Sequence, residues 1–354
     1  MKDIVVKGAI FKEGEMKNGL YSILKEKFID SPSNADVEGT LIKAPINFHT
    51  HVGDSFIGSE PDGDLEHIVG PGGFKMRELN AASPALIRRS MRKSIELMKN
   101  RGTAAFFDFR ESGMKGLKMV PKFGGISGFF LTRPTSNLEV ELLLNASVGF
   151  GMSALSDHEF KDLKRLSETA HKKNKIFSIH FSENKRENVR DLMVLSPDFV
   201  VHCIEATDGD LDVLRRSSVP VAITPRSNIF HGKRPDYSRF FRKNLTVLLG
   251  TDNVFITEPE IMEEAEFLYR YQRKLNRLSP EQILTTITDN PRKVISSLGL
   301  RFKDEKYLLF PNENLTPYQI VTRPNYYDRF QVTRNRNGIS LLAFNKKGLK
   351  MGGR

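Results

Sequence analysis

Two histidines, one residue apart, end the short apolar segment Ala44-Pro45-Ile46-Asn47-Phe48-His49-Thr50-His51. The segment has the character of a buried strand, and side chains two positions apart on a strand point to the same side. His49 and His51 could therefore bind one metal ion together. A His-X-His pair also occurs as a purely structural pair, so this spacing alone leaves both interpretations open.

Further residues that could do metal or acid–base chemistry each follow a later apolar segment. They are His180, Glu183, His202 and Asp252. Cys203 is the single cysteine, which excludes an intrachain disulfide and a cysteine-based metal cluster. Any metal ion must therefore be bound by His, Asp or Glu. We expect Cys203 itself to be a buried, inert thiol.

Strand-like and helix-like segments alternate between residues 45 and 302, which predicts how these groups meet. The strand-like segments are residues 44–51, 103–109, 126–131, 146–150, 176–179, 199–201, 220–223 and 246–249. Eight strands alternating with helices predict an α/β fold, a closed (β/α)₈ TIM-like barrel, with a doubly wound open sheet as the alternative. In a barrel the carboxyl ends of the strands meet at one mouth, so the polar groups after strands 1, 5, 6 and 8 should converge.

The two ends of the chain predict a small β domain. Residues 1–44 and 303–344 contain strand-like segments, among them residues 307–310, 319–322 and 339–342. We predict a discontinuous β domain from these two ranges, a barrel domain at residues 45–302 and a basic tail at residues 345–354.

The loop at residues 52–82 is longer than usual barrel connections, which is typical of a lid, a static cover or an oligomer contact. A helix should follow it, with Ser83 as N-cap, Pro84 as its first residue and Gly102 at its end.

Composition narrows the class of protein. The 354 residues carry a net charge of +11, yet Lys and Arg are spread along the chain without a nucleic-acid-binding motif. A solvated basic surface is the simpler interpretation, and a basic nucleic-acid-binding protein is the alternative from another class. No apolar run reaches membrane-spanning length and the start does not resemble a signal peptide, so we expect a cytoplasmic enzyme.

Taken in order, the motifs resemble those of the amidohydrolase superfamily, in particular the branch with cytosine deaminase, guanine deaminase, S-adenosylhomocysteine deaminase and the triazine chlorohydrolases. The motifs are Asn47-Phe48-His49-Thr50-His51, His180-Phe181-Ser182-Glu183, His202-Cys203, Pro225-Arg226-Ser227-Asn228 and Gly250-Thr251-Asp252-Asn253. The resemblance extends from Pro45 through Asn290-Pro291-Arg292-Lys293.

This resemblance implies one divalent metal ion held by four ligands: His49, His51, His180 and Asp252. Zinc is the first expectation, and iron or manganese would accept the same ligands. A second ion is not implied, because the strand-4 segment from Ala146 to Leu155 has no bridging lysine. The resemblance also implies that His202 faces the substrate or the attacking water, and that Glu183 is the proton shuttle.

The implied reaction is hydrolytic deamination of an amino-substituted heterocycle, either a nucleobase or a nucleoside-like molecule. Asp252 would take a proton from the attacking water, His202 would orient that water, and Glu183 would protonate a ring nitrogen. Alternatives with the same fold are a ring-opening cyclic amidohydrolase, similar to imidazolonepropionase, and a chlorohydrolase. The expected partner is a small heterocyclic substrate rather than a membrane or nucleic acid, and a homo-oligomer remains open.

Basic residues also follow several strands, which predicts an anionic group on the substrate. The candidate substrate-binding residues are Lys75, Arg77, Arg110, Arg133, Arg226, Ser227 and Asn228. Arginine offers a planar fork that suits carboxylate or phosphate. In the alternative interpretation the arginines pair with neighbouring carboxylates such as Asp108, Glu111 or Glu139, and Ser227 and Asn228 only shape a turn.

Overall fold

The computed structural model describes residues 3–30, 35–302, 304–335 and 338–344, so the predicted basic tail at 345–354 lies outside the described residues. In chain order the strands are β1 (Val5–Lys12), β2 (Glu15–Ser22), β3 (Lys27–Phe28), β4 (Val37–Lys43), β5 (Ile46–His51), β6 (Ala105–Arg110), β7 (Ser127–Thr132), β8 (Gly149–Met152), β9 (Ile176–Phe181), β10 (Phe199–His202), β11 (Val221–Ile223), β12 (Val247–Leu249), β13 (Asp252–Asn253), β14 (Glu305–Pro311), β15 (Arg329–Asn335) and β16 (Gly338–Phe344).

The α-helices alternate with the central strands. They are α1 (Leu65–Val69), α2 (Phe74–Ala81), α3 (Pro84–Asn100), α4 (Gly113–Lys118), α5 (Val140–Ala146), α6 (Phe160–Lys172), α7 (Val189–Val194), α8 (Asp208–Arg216), α9 (Pro225–Phe230), α10 (Ser238–Arg242), α11 (Ile261–Gln272), α12 (Pro280–Ile287), α13 (Asp289–Ser297) and α14 (Pro317–Thr322). The predicted start of α3 is confirmed, because the Ser83 hydroxyl accepts a hydrogen bond from the Leu86 backbone N–H.

The parallel strands β5 to β13 form the predicted barrel. Their order in the sheet is β12-β11-β10-β9-β8-β7-β6-β5-β13. β12 pairs with β11, and β13, two residues further along the chain, pairs with β5. The Thr251 N–H also donates to the His49 carbonyl at 2.9 Å. One chain segment thus joins both edges of the sheet, which confirms the (β/α)₈ barrel and excludes the doubly wound open sheet.

Both ends of the chain share a second sheet, as predicted. Its order is β16-β15-β14-β4-β1-β2-β3, so β4 from the first end pairs antiparallel with β14 from the second. Ile42 and Leu308 of this sheet belong to the same hydrophobic core as the barrel strands. The junctions near residues 45 and 302 fall between secondary-structure elements, and we retain the domain boundaries there as a proposal.

One predicted strand is wrong, because residues 319–322 belong to helix α14. Thr316 caps this helix: its hydroxyl accepts from the Gln319 N–H, and the Gln319 side chain accepts from the Thr316 N–H. Pro317 occupies the first helical position, where its missing N–H costs nothing. This reciprocal capping box outweighs the strand preference of the β-branched residues that follow.

The predicted long loop at residues 52–82 contains helices α1 and α2.

Beneath the mouth of the barrel, aromatic side chains fill the core, with the ring centroids of Phe48 and Phe107 4.1 Å apart. Among the residues that the structure describes, no helix combines the length and the apolar character needed to cross a membrane.

Candidate active site

The four predicted metal ligands meet at the mouth of the barrel. His49, His51, His180 and Asp252 each offer one ligand atom, and all four atoms lie within 4.8 Å of one another. All four side chains are buried. Asp252 Oδ1 lies 3.2 Å from His49 Nε2 and 3.4 Å from His51 Nε2. This is the spacing of groups that converge on a common ion.

The hydrogen bonds of the histidines leave nitrogen lone pairs for such an ion. The Nδ1 atoms of His51 and His180 lie 3.0 Å from the Phe109 carbonyl and 2.7 Å from the Met152 carbonyl. A carbonyl only accepts, so each Nδ1 carries the proton and each Nε2 is free. Both ring nitrogens of buried His49 lack a hydrogen-bond partner in the described part of the chain. Three imidazoles and a carboxylate fit one divalent ion.

Burial and neighbouring groups hold His51, His180 and Asp252 in the protonation states that metal binding requires. Burial lowers the pKa of His51 to about 4, and it lowers the pKa of His180 well below its ordinary value. Burial alone would raise the pKa of Asp252, but the neighbouring imidazoles outweigh it and hold that pKa well below its usual range. Neutral imidazole and ionised carboxylate are the ligating forms.

Glu183 and His202 lie beside the four ligands. Glu183 Oε2 is 3.3 Å from His202 Nε2, and both side chains form a second close group with Asp252. Burial, together with the charge of Asp252, raises the pKa of Glu183 well above its ordinary value. A carboxyl group of this kind can hold a proton at neutral pH and donate it.

The environment of His202 fixes where its proton lies. The Asn228 side-chain amide donates to His202 Nδ1 at 3.2 Å, while the Tyr237 hydroxyl donates to Asn228 Oδ1 at 2.9 Å. The Thr224 hydroxyl lies 3.1 Å from the same Nδ1. The proton of His202 is therefore on Nε2, which points to Glu183. His202 is a hydrogen-bond donor at the pocket, because burial lowers its pKa to about 3 and keeps the ring neutral.

Backbone geometry at the strand ends presents two of these groups. His202 and Asp252 have φ angles of 72° and 64°, in the left-handed region that residues with a Cβ seldom adopt. Each costs about 1–2 kcal/mol. Gly250 allows the close approach of β12 to β5, because a Cβ there would lie 2.5 Å from the Cβ of His49.

A pocket opens directly onto this cluster. His51, His180, Glu183, His202 and Asp252 lie at its base. Helices α1 and α2 supply an apolar wall of Leu65, Val69 and Met76, while Arg133, Asp157 and Lys185 line other parts of the pocket. The arrangement can bind a small, partly apolar molecule next to a metal ion, a protonated carboxyl group and an N–H donor.

Comparison with known proteins supports the same family. A protein of Archaeoglobus fulgidus, provisionally named an aminohydrolase, is 30% identical over 267 residues, which are 75% of this chain and 74% of that protein. The chain belongs to the amidohydrolase superfamily. The 5'-deoxyadenosine deaminase of Methanosarcina acetivorans is 24% identical to this amidohydrolase over 306 residues, 71% of this chain and 69% of that protein. No family model matches the chain.

The crystal structure of a zinc-bound adenosine deaminase from Xanthomonas campestris superposes on this amidohydrolase with a TM-score of 0.73. The match covers 97% of this chain and 92% of that one at 14% sequence identity. At this level of identity the comparison shows a shared fold.

The structure brings two of the predicted substrate-binding residues of the amidohydrolase to the pocket, Lys75 and Arg133. The guanidinium of Arg133 makes no ion pair with any described residue, and its Nε is buried without a hydrogen-bond partner. The ammonium of Lys75, in contrast, contacts Glu111 and lies 3.8 Å from Asp54.

Arg77, Arg110 and Arg226, which the sequence also predicted to contact the substrate, are not among the residues that line this pocket. Arg110 is buried and paired with Asp108 at 3.3 Å and with Glu111 at 2.5 Å. Arg226 is held by the buried carboxylate of Glu264, at 2.5 Å from its Nε, and by two backbone carbonyls. Arg77 is on an exposed turn of α2, where it donates to the Gly72 carbonyl.

Ser227 and Asn228 also lie outside the pocket lining, but they contact catalytic candidates. The Ser227 hydroxyl donates to Asp252 Oδ2 at 2.6 Å, and Asn228 contacts His202 as described above. Both side chains thus contact a residue of the cluster and are not part of the pocket lining.

Cys203 is fully buried, as expected, and burial raises the pKa of its thiol. The sequence did not single out Glu111 or Asp54 for the site, although both directly follow barrel strands, which was the available signal.

Proposed function

We propose that this amidohydrolase removes an amino group from a small heterocycle by hydrolysis, with one divalent metal ion, most simply zinc. The observation that carries the proposal is the carboxyl group of Glu183, with its raised pKa, next to His202 and the four-ligand cluster in one pocket. The names of the aminohydrolase and 5'-deoxyadenosine deaminase relatives support the same reaction class.

The bound ion would supply a Lewis acid that makes a water molecule nucleophilic at neutral pH. Asp252 Oδ1 accepts the proton that this water loses when its oxygen bonds to the amine-bearing carbon. Glu183 donates its proton to the adjacent ring nitrogen, which makes that carbon electrophilic. His202 Nε2–H orients the attacking oxygen by a hydrogen bond. The proton on Asp252 then passes to the amino group, which leaves as ammonia as the carbon–nitrogen bond breaks. The proton of the hydroxyl now on that carbon returns to Glu183 as the carbonyl forms, so both carboxyl groups are restored and one water is consumed for each ammonia released.

The substrate, we further propose, carries an anionic group that Arg133 binds. Arg133 is partly buried and its Nε lacks a hydrogen-bond partner, and a carboxylate or phosphate would satisfy this group with paired hydrogen bonds. Leu65, Val69 and Met76 on the α1–α2 side would contact the apolar part of the same molecule. The single buried cysteine is consistent with a reducing compartment, and we place the enzyme in the cytoplasm.

Ammonia release tests the reaction class. Cytosine, guanine, adenosine, their nucleotides and related aminopyrimidines would be offered to protein loaded separately with zinc, iron or manganese. We expect Glu183→Gln to lower the release from the best substrate by about 10²–10⁴-fold while the metal stays bound. Glu168→Gln, at an exposed position of α6, is the matched control. Near wild-type turnover by Glu183→Gln would remove the proton-shuttle role.

If the metal-loaded protein releases no ammonia from any compound of the panel, ring opening and chloride release become the reactions to measure.

A substitution tests the anionic group. Arg133→Met should raise the KM for a phosphorylated or carboxylated substrate about 10–100-fold and change the KM for the uncharged counterpart little. Arg190→Met on α7, where the side chain is exposed, is the control. Equal KM values for charged and uncharged partners in the wild type would exclude this role of Arg133.

A further inference from the structure

A buried network of charged side chains, which the proposed reaction does not use, reaches the pocket lining at Lys75 and Glu111. Its members are Asp54, Lys75, Asp108, Arg110 and Glu111. Each of these side chains is at most 6% exposed. Buried charges persist in proteins only when they are paired and hydrogen-bonded, so the geometry of this network is under strong constraint.

Glu111 connects the network to one metal ligand. Its Oε1 contacts the Lys75 ammonium and lies 2.6 Å from His51 Nδ1, while its Oε2 lies 2.5 Å from Arg110 Nη2. His51 Nδ1 donates its proton to the Phe109 carbonyl, and the Glu111 carboxylate packs beside the same nitrogen, so both groups restrict the orientation of this ligating ring. The position of Glu111 in turn depends on its two cationic neighbours.

Asp54 connects the network to the chain segment of a second ligand. Its carboxylate accepts hydrogen bonds from the Asn253 side chain at 2.8 Å and from the Val254 N–H at 2.9 Å. These are the two residues that directly follow Asp252. Lys75 therefore lies between two carboxylates, one of which supports His51 and the other the segment of Asp252.

Lys75 is the member of this network that comes from α2. The other four are on β6 or directly follow β5 and β6. Leu65, Val69 and Met76 of the same α1–α2 segment form the apolar wall of the pocket. We infer that Lys75 is a positioning residue that couples the α1–α2 wall to the metal centre. Its ammonium group connects this wall to Glu111 and Asp54, whose carboxyl groups contact a ligand and the segment that follows a second ligand. The inference rests on the metal site of the proposed function but not on its substrate.

Such coupling must act in both directions, which allows a test on the wild-type protein. Removal of the metal by a chelator should speed backbone amide hydrogen exchange in residues 65–81 by about fivefold or more. Exchange in α6, whose residues are outside the network, is the internal control and should stay unchanged. Equal exchange of residues 65–81 with and without metal would overturn the inference, whatever reaction the enzyme catalyses.

A substitution provides the second measurement. Lys75→Met keeps most of the side-chain volume but removes the charge, and we expect chelator-driven metal loss to become about tenfold faster, with faster exchange in residues 65–81. Lys93→Met, at an exposed position of α3, is the matched control. Metal retention and exchange within twofold of the wild type in folded Lys75→Met would also refute the inference. If this variant does not fold, the comparison of metal-loaded and metal-free wild type decides.

Discussion

The Ser227→Ala substitution tests whether a residue outside the pocket controls the metal centre through a single hydrogen bond. The Ser227 hydroxyl donates to Asp252 Oδ2 at 2.6 Å, and both side chains are buried. The other oxygen, Oδ1, faces His49 and His51. Alanine removes one oxygen atom and leaves the buried carboxylate of Asp252 without this donor.

The expected loss follows from the charge of the acceptor. A hydrogen bond to an ionised group is worth about 1.5–3 kcal/mol, and each 1.4 kcal/mol corresponds to about tenfold in an equilibrium constant or a rate. We therefore expect the metal affinity, kcat/KM or both to fall by about 10–100-fold. The cavity left by one oxygen is too small to add much to this figure.

The assay combines steady-state ammonia release with competition for the metal against a coloured chelator. Ser217→Ala is the matched control, because Ser217 is exposed and follows helix α8 far along the chain from the ligands. If Ser227→Ala stays within twofold of the wild type in both metal affinity and kcat/KM, then the hydrogen bond to Asp252 does not position this ligand.

Three further predictions concern stability. Gly250→Ala should lower the free energy of unfolding in urea by about 1–3 kcal/mol and reduce the metal content, because the Cβ of the alanine would lie 2.5 Å from the Cβ of His49. An unchanged free energy of unfolding and metal content would contradict this prediction. The hydrogen bond from Arg186 lowers the pKa of Asp210 to about 2. The wild type should therefore have a higher free energy of unfolding than Asp210→Asn, with the full difference above pH 3.8 and a loss of this difference as the pH falls toward 2. Because Arg186 is largely exposed, we expect about 1 kcal/mol in urea titrations, and a pH-independent difference would refute the pairing. Burial raises the pKa of Asp54 from 3.8 to about 7, so the stability linked to its proton is full below pH 3.8 and is lost as the pH rises through 7. The free energy of unfolding of Asp54→Asn, relative to the wild type, should therefore be higher at pH 8 than at pH 5. The same difference at both pH values would argue against the raised pKa.

The barrel and the residues of the metal cluster could be predicted from the amino-acid sequence. Alternation of side chains along a strand is a local property, so His49 and His51 had to point the same way. The carboxyl ends of barrel strands share one mouth, so His180 and Asp252 had to join them. The same local reasoning failed at residues 319–322, where β-branched residues suggested a strand but the capping box at Thr316 decided for a helix.

The partners of the basic residues, in contrast, became visible in the folded chain. Arg110, Arg133 and Arg226 all follow barrel strands, and nothing in the local sequence separates them. Arg226 pairs with Glu264, which is 38 residues away in the chain, whereas Arg133 makes no ion pair with any residue that the structure describes. A strand direction follows from neighbouring residues, but a charge partner follows from how distant helices pack against the barrel. The strand-end ligands could therefore be predicted from the sequence, whereas the anion-binding candidate and the network around Lys75 could not.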